Sequence, residues 1–215
     1  MKILSFGSTS NINSELIALG CDVTTAGRSG DIVVDFSLNS FELLKNREYL
    51  NFDLYLFNSG YLSDINILER EGDDIIKSIK INLLSIVYII EYLLSNNPKA
   101  RIIVIGSESA KKGSFDKVYF LSKAAVSKYC KEKYLHHPTQ QLIVLSPSTI
   151  GDSGMTSSRT DLDRLNAYRQ EHPKKRFLYM KEVARIIFDI FSNDSTYLTN
   201  VEINLDGGKF SRCKL

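Results

Sequence analysis

The stretch KILSFGSTSNIN, from Lys2 to Asn13, decides the fold, because a short apolar run enters a polar turn that opens a helical pattern. A strand, a tight turn and a helix in this order present backbone N–H groups to a phosphate at the start of the helix. Gly7 is the glycine of the turn, Asn11 can supply a left-handed backbone conformation, and Asn13 adds bulk where the helix packs on the strand. Taken alone, the stretch fits a phosphate-binding turn and an ordinary strand-to-helix connection equally well.

Apolar runs and helical patterns alternate along the whole chain of 215 residues. Most of the runs are continuous, which is typical of strands that are covered on both faces. We therefore predict one α/β domain, residues 1–215, with a mostly parallel sheet and helices on both faces. The predicted strands are Lys2–Phe6, Asp22–Ala26, Ile32–Phe36, Asp53–Phe57, Arg101–Ile105, Gln141–Leu145 and Val201–Leu205, and the predicted helices cover residues 12–19, 40–48, 73–95, 116–134 and 181–192.

Two segments interrupt this alternation. Residues 27–31 are too few for the crossover that joins parallel strands, so the third strand is predicted to be antiparallel or a short extended remnant. The polar residues 148–176 follow the sixth predicted strand. Because ligands bind outside the carboxyl ends of parallel strands, this second segment is predicted to form a lid over a binding site.

Composition and charge exclude several classes of protein. Lysine and arginine number 27 and aspartate and glutamate 25, so the net charge of +2 lacks the basic excess of a nucleic-acid-binding surface. Cys21, Cys130 and Cys213 lie far apart, which favours a reducing compartment. The three histidines lack the spacing of metal ligands and are predicted at the surface, and the most apolar stretch, residues 83–94, is too short to span a membrane. We expect a cytoplasmic protein that binds no metal, nucleic acid or membrane.

Tyr119 and Lys123 form the strongest local signal, because an i, i+4 spacing places both side chains on one face of a helix. A neighbouring ammonium favours the phenolate and lowers the pKa of a tyrosine from its usual value of about 10, which suits a general acid or base. The same spacing occurs by chance in many helices. Here it follows a predicted strand that ends in Ile105, Gly106 and Ser107, and this order favours a catalytic group.

The order of these motifs resembles that of the short-chain dehydrogenase/reductase family over nearly the whole chain. Gly7 with Asn11 and Asn13 corresponds to the family's glycine-rich turn. The resemblance implies a Rossmann-like, doubly wound sheet in which the helix between the second and third strands is missing. The other matches are Asp35-Phe36 at the adenine contact, FNSG at 57–60 for the family's NNAG, Asn82, Ser107, Tyr119 and Lys123 at the catalytic positions, Pro147-Ser148 at the Pro-Gly position, and DGG at 206–208.

The resemblance implies an oxidoreductase that transfers a hydride between NADP(H) and a small carbonyl or alcohol substrate. Ser107 would bind the substrate oxygen, Tyr119 would pass the proton, Lys123 would hold the ribose and lower the tyrosine pKa, and Asn82 would hold a relay water. Family members commonly pair through the helices of Asn82 and Tyr119, so a homodimer or homotetramer is expected. The expected cofactor-binding residues are Gly7, Ser8, Thr9, Ser10, Asn11, Ile12, Arg28, Ser29, Asp35, Phe36, Asn58, Ser59, Gly60, Tyr119, Lys123, Pro147, Ser148 and Ile150.

Arg28, after the second predicted strand, favours NADP over NAD, because a guanidinium forms charge-assisted bonds to a 2′-phosphate where NAD sites place an acid. Asp31 lies close to it in the sequence. The chain departs from the family pattern in the two turn asparagines and at Ser148, and Ser109 competes with Ser107 for the serine position. A non-catalytic NADP-sensing or interaction protein on the same fold is therefore the alternative. A sugar-nucleotide epimerase would need a further C-terminal domain, and its place here is taken by one helix and one strand.

Overall fold

Seven parallel strands form one sheet in the order β3-β2-β1-β4-β5-β6-β7. The computed structural model describes residues 1–38, 46–159, 161–193 and 195–211. The order reverses beside β1, whose neighbours are β2 and β4, and the predicted doubly wound, Rossmann-like fold is confirmed. The strands are β1 (Lys2–Phe6), β2 (Asp22–Gly27), β3 (Ile32–Val33), β4 (Leu54–Phe57), β5 (Arg101–Ile105), β6 (Gln141–Pro147) and β7 (Val201–Leu205).

Helices follow most of the strands and cover both faces of the sheet. The buried side chains form two clusters, one with α3 and α5 and the other with α1 and α8. Strand β1 contributes Leu4 to the first cluster and Ile3 to the second, as expected for a strand buried on both faces. The helices are α1 (Asn11–Ala18), α2 (Gly72–Ile79), α3 (Ser85–Asn96), α4 (Ser109–Lys112), α5 (Lys117–Glu132), α6 (Gly154–Ser157), α7 (Leu162–Glu171) and α8 (Met180–Phe191).

The connection between β2 and β3 is a tight turn, and the two strands are parallel. The carboxylate of Asp31 accepts hydrogen bonds from the backbone N and the Oγ1 of Thr25, at 2.8 and 2.9 Å, and so closes the turn. The antiparallel alternative is wrong, whereas the short remnant is confirmed, because β3 pairs through two residues only. Most of the helix predicted at 40–48 lies outside the described residues, as does Cys213, and a 3₁₀ helix covers Arg47–Leu50.

The helix predicted at 73–95 is continuous from Gly72 to Asn96, but a π-helical turn at Lys80–Leu84 joins α2 to α3. Its 25 residues are long and apolar enough to meet the criteria for a membrane span, which core helices of globular proteins also meet. Asn82 lies in the π-helical turn and is fully buried. Because π turns are rare and frequently occur at functional sites, this turn marks Asn82 as a residue of interest.

Candidate active site

A cleft of about 1450 Å³ lies at the carboxyl ends of the strands, where the order of the sheet reverses. The turn after β1 forms one wall of it, and Gly7 begins that turn with a φ of +142°. A Cβ at Gly7 would lie 1.9 Å from Oδ1 of Asn58, so only glycine fits there. Asn11 is the first residue of α1, and the left-handed conformation expected of it is wrong, since Lys175 and Asn200 are the only described non-glycine residues with positive φ.

All of the residues expected to bind a cofactor line this cleft. At the end of the cleft that was expected to hold adenosine, Arg28 is exposed, while the Oγ atoms of Ser8 and Ser29 lie 3.2 Å apart. Hydrogen bonds from Ser37, and to a lesser extent the charge of Arg28, hold the pKa of Asp35 below its usual range. Sequence reasoning missed Gly27, where a Cβ would lie 2.5 Å from Oγ of Ser8, so this glycine lets β2 approach the turn. The sequence signal for this contact was the glycine directly before Arg28, in addition to Gly7 in the turn after β1.

Ser107, Tyr119 and Lys123 line the cleft beside the end of β5 and are all buried or nearly so. The side chain of Ser107 is close enough to Tyr119 to lower the pKa of the tyrosine hydroxyl. Nζ of Lys123 lies 5.8 Å from the centre of the Tyr119 ring and donates to the carbonyl oxygen of Ile105 at 2.9 Å. Ser109, the rival serine, begins α4, and its backbone N donates to Oγ of Ser107 at 3.1 Å. The structure therefore brings Ser107, and not Ser109, to the tyrosine hydroxyl.

Burial controls the protonation of the tyrosine and the lysine. It raises the pKa of Tyr119, the hydrogen bond from Ser107 opposes this shift, and the charge of Asp116 adds to it. The expected lowering of the tyrosine pKa by Lys123 is therefore absent from this structure, because loss of solvent outweighs the other effects. Burial also lowers the pKa of Lys123 to about 8. Both groups are thus held closer to their neutral forms than they would be in water.

Asn82 faces the backbone of Tyr61, which follows β4. Its Oδ1 accepts from the Tyr61 N at 2.8 Å, and its Nδ2 donates to the Tyr61 carbonyl oxygen at 2.7 Å and to Oγ of Ser78 at 3.2 Å. These bonds tie the π-helical turn to the segment that lines the cleft after Gly60. Asn82 lies behind the wall of the cleft, in contrast to Ser107 and Tyr119, which line it.

A buried ion pair that sequence reasoning missed supports the start of α5. The side chains of Arg70 and Asp116 are each 1% exposed, and Nη1 of Arg70 lies 3.0 Å from Oδ1 of Asp116. Asp116 also caps α5, since it accepts from the backbone N of Val118 and of Tyr119, both at 3.0 Å. The available signal was an aspartate just before the helical pattern, a preferred N-cap residue. Arg70, 46 residues away in the sequence, carried no such signal.

The segment 148–176, predicted to be a lid, contains α6 and α7 and contributes Met155, Arg159, Arg164 and Tyr168 to the cleft. Arg159 forms an ion pair with Asp161 at 2.6 Å, whereas the described bonding partner of Arg164 is the Tyr168 hydroxyl, at 2.7 Å. The surface position expected of His172 is wrong: the side chain is 6% exposed, and Gly207 lies directly against its ring. His136 and His137 are exposed, as expected.

Comparison with known proteins identifies the family. Residues 10–209 match the family model described as enoyl-(acyl carrier protein) reductase. A Rossmann-like sheet, with a serine, a tyrosine and a lysine gathered at its carboxyl edge, is the architecture of a nucleotide-binding oxidoreductase. The chain belongs to the short-chain dehydrogenase/reductase family of oxidoreductases.

Relatives and solved structures agree with this assignment. The chain is 28% identical over 183 residues to the 3-oxoacyl-[acyl-carrier-protein] reductase FabG of Buchnera aphidicola subsp. Baizongia pistaciae, covering 80% of this chain and 74% of that protein. A short chain dehydrogenase family protein from Francisella tularensis superposes with a TM-score of 0.80 at 21% identity, covering 98% of this chain and 99% of the other. A variant of ElxO with NADPH bound gives a TM-score of 0.81 at 18% identity, with the same coverage.

Proposed function

We propose that the protein is an NADP(H)-dependent reductase or dehydrogenase that acts on a carbonyl or alcohol substrate through Ser107, Tyr119 and Lys123. The observation that carries the proposal is that Ser107, Tyr119 and Lys123 line one cleft together with the Gly7 turn, with the hydroxyls of Ser107 and Tyr119 close enough for the serine to lower the tyrosine pKa. A substrate oxygen placed between these two hydroxyls would meet a hydrogen-bond donor and a proton source at once. The cleft is large enough for a dinucleotide and a small substrate together.

The residues of the cleft fit a dinucleotide. Gly7 leaves room for a close approach of the backbone, and in the described chain no protein acceptor is bonded to the amides of Ser8 and Thr9. Backbone amides at such a turn bind phosphate well. Arg28 and Ser29 would bind the adenosine ribose and its phosphate, Asp35 and Phe36 the adenine, and Lys123 the nicotinamide ribose. The remaining contacts would come from Asn58, Ser59, Gly60, Pro147, Ser148 and Ile150.

Each catalytic side chain has a separate task. Hydride chemistry is supplied by the nicotinamide when it is bound. Ser107 would hold the substrate oxygen and Tyr119 would give it a proton through its hydroxyl, which burial keeps protonated at neutral pH. Lys123, with a pKa of about 8, would be largely cationic at neutral pH and would stabilise the tyrosinate once the proton has left. Asn82 would fix the Tyr61 backbone beside the site, and the relay water implied by the family resemblance would not bind its side chain, whose two amide donors are taken by Tyr61 and Ser78.

Two observations support NADP over NAD. The exposed Arg28 directly follows β2, where a 2′-phosphate would lie, and the carboxylate of Asp31 is occupied by two hydrogen bonds from Thr25. The solved structure of ElxO contains NADPH.

The matched FabG protein acts on 3-oxoacyl groups, so a 3-oxoacyl thioester is the first substrate to test.

The test combines binding with turnover. Titration of NADPH and of NADH, followed by cofactor fluorescence, is expected to show tighter binding of NADPH. Oxidation of NADPH in the presence of acetoacetyl-coenzyme A is expected for the wild type, and a Tyr119→Phe variant should lose roughly 10²- to 10⁴-fold in rate while keeping its NADPH affinity. Full turnover by Tyr119→Phe would refute the catalytic assignment. Binding of NADPH with no turnover on any carbonyl panel would favour the NADP-sensing alternative.

We also propose that the protein is a homodimer or homotetramer that pairs through α3 and α5. Leu84, at the end of the π-helical turn, and Leu121, on α5, are 51% and 57% exposed. Large apolar side chains exposed on neighbouring helices favour contact with a second copy. Light scattering of the wild type measures the oligomeric state directly.

A further inference from the structure

Asn13 lies beneath the turn after β1, and its side chain is the centre of a polar network. Its Oδ1 accepts from Oγ of Ser5 at 2.7 Å and from Nδ2 of Asn58 at 3.1 Å. Its Nδ2 donates to the carbonyl oxygen of Gly7 at 2.9 Å and, over a longer distance of 3.4 Å, to that of Ser8. The residue is 5% exposed; its bond with Ser5 is buried, and the other three bonds are partly buried.

The carbonyl oxygens of Gly7 and Ser8 fix which way the Asn13 amide points. Backbone carbonyl oxygens can only accept, so the end of the amide that faces them must donate, and the opposite end, which faces Ser5 and Asn58, must be the oxygen. The end that donates is the NH₂ group. The network therefore sets both the position and the direction of the two bonds that reach the turn.

These bonds also decide where the turn's own donors point. In a trans peptide the carbonyl group and the following N–H point in opposite directions, and the described residues contain no cis peptide. Because the carbonyls of Gly7 and Ser8 face Asn13, the amides of Ser8 and Thr9 must face away from it. Ser8 and Thr9 line the cleft, whereas Asn13 is buried behind them.

We propose that Asn13 is a positioning residue for an anionic ligand: its side-chain amide fastens the Gly7 and Ser8 carbonyls and so presents the Ser8 and Thr9 amides to a phosphate in the cleft. The inference rests on the proposed function, since a dinucleotide pyrophosphate is the ligand of that turn. A glycine at position 13 would bring helix and strand into closer contact but would offer no such bonds. Asparagine fills the space and replaces close packing by four hydrogen bonds.

The test compares Asn13→Ala with Asn96→Ala, a matched control. Asn96 is exposed at the end of α3, where its Nδ2 donates to a single backbone carbonyl, that of Tyr92, far along the chain from the turn. NADPH affinity is measured by fluorescence titration, and the exchange of backbone amides in residues 6–13 is measured by mass spectrometry. Asn13→Ala is expected to weaken NADPH binding by about tenfold or more and to speed exchange in that peptide, while Asn96→Ala leaves both unchanged.

Wild-type affinity and wild-type exchange in Asn13→Ala would overturn the inference. If the wild type does not bind NADPH at all, the proposed function fails, and exchange in residues 6–13 alone then decides whether Asn13 orders the turn. If Asn13→Ala does not fold, Ser5→Ala serves instead, because it removes one donor to Oδ1 and leaves Nδ2 in place. Ser5→Ala is expected to weaken NADPH binding by a few-fold, and unchanged affinity together with unchanged exchange would again overturn the inference.

Discussion

Replacing Arg70 by methionine should destabilise the protein strongly, because it leaves the carboxylate of Asp116 buried without its ion-pair partner. Removing one member of a buried pair typically costs about 3–5 kcal/mol. Here Asp116 keeps backbone donors from Ser63, Val118 and Tyr119, at 2.9, 3.0 and 3.0 Å, which stabilise the remaining charge. We therefore expect a loss at the lower end of the range, about 3 kcal/mol.

Asp116→Asn should lower the free energy of unfolding by less than Arg70→Met does. Asparagine is as good an N-cap as aspartate, and Arg70 keeps its second carboxylate, Asp74, at 2.7 Å. We expect a loss of about 1–2 kcal/mol, and in the Arg70→Met/Asp116→Asn double variant a total at least about 1 kcal/mol below the sum of the two single losses. The double variant loses less stability than the sum of the two single variants because it leaves no buried charge without a partner.

Urea unfolding of the four proteins measures these differences, provided that the slope of the transition is unchanged. Arg185→Met is the control: the Arg185–Asp189 ion pair has a similar length, 2.9 Å, but its side chains are 61% and 53% exposed. Its loss should leave the urea midpoint unchanged within error, as is usual for exposed pairs. If the effects of Arg70→Met and Asp116→Asn simply add, or if Arg70→Met behaves like Arg185→Met, the reasoning about the buried pair is refuted.

Three further predictions concern the site and the surface. Burial lowers the pKa of Lys123 to about 8, so between that pH and the ordinary lysine pKa of about 10.4 the unfolded chain binds more protons than the folded one. The lysine therefore makes stability rise with pH in this window, and Lys123→Met should lack that rise relative to the wild type in urea unfolding at a series of pH values; parallel curves would contradict it. Arg28→Ala should weaken NADPH binding about tenfold while leaving NADH binding nearly unchanged, as measured by fluorescence titration, and an equal loss for both cofactors would remove Arg28 from the 2′-phosphate site. Leu121→Glu should lower the mass seen by light scattering, with the exposed Tyr197→Glu as control, and an unchanged mass would move the proposed interface elsewhere.

The strands of the sheet were predictable because the continuous apolar runs are too short for helices and alternate with helical patterns, which favours strands buried between two layers. The runs at β1, β5 and β7 match the structure at both ends. The direction of β3 was not predictable, because a two-residue strand has no periodicity, and its parallel pairing depends on bonds between Asp31 and Thr25 that local patterns do not contain. The π-helical turn around Asn82 was hidden for a related reason: an apolar helix and an apolar π turn have the same composition.

In the candidate site, too, features set by local spacing were predictable, and features set by contacts between distant segments were not. Tyr119 and Lys123 could be placed together because helical spacing alone puts them on one face. Their protonation could not be read from the sequence, because it depends on how completely other elements cover them, and burial reverses the expected direction for the tyrosine. The contact between Arg70 and Asp116 joins residues from different segments, so no local pattern contains it.

Asn13 departs from the glycine of the family pattern, but it can still order the turn after β1. It does so through hydrogen bonds instead of close packing. Read as a sequence, it adds bulk where close packing is usual, and this weakens the case for a phosphate-binding turn. In the structure the side-chain amide of Asn13 accepts from Ser5 and Asn58 and donates to the Gly7 and Ser8 carbonyls. The extra volume of asparagine is therefore used for hydrogen bonding. A buried amide with all of these partners stabilises one arrangement of the turn and penalises others, because any other arrangement leaves polar atoms unsatisfied away from water. Such a turn is ordered before a ligand arrives, and ordering it beforehand removes a cost that binding would otherwise have to offset.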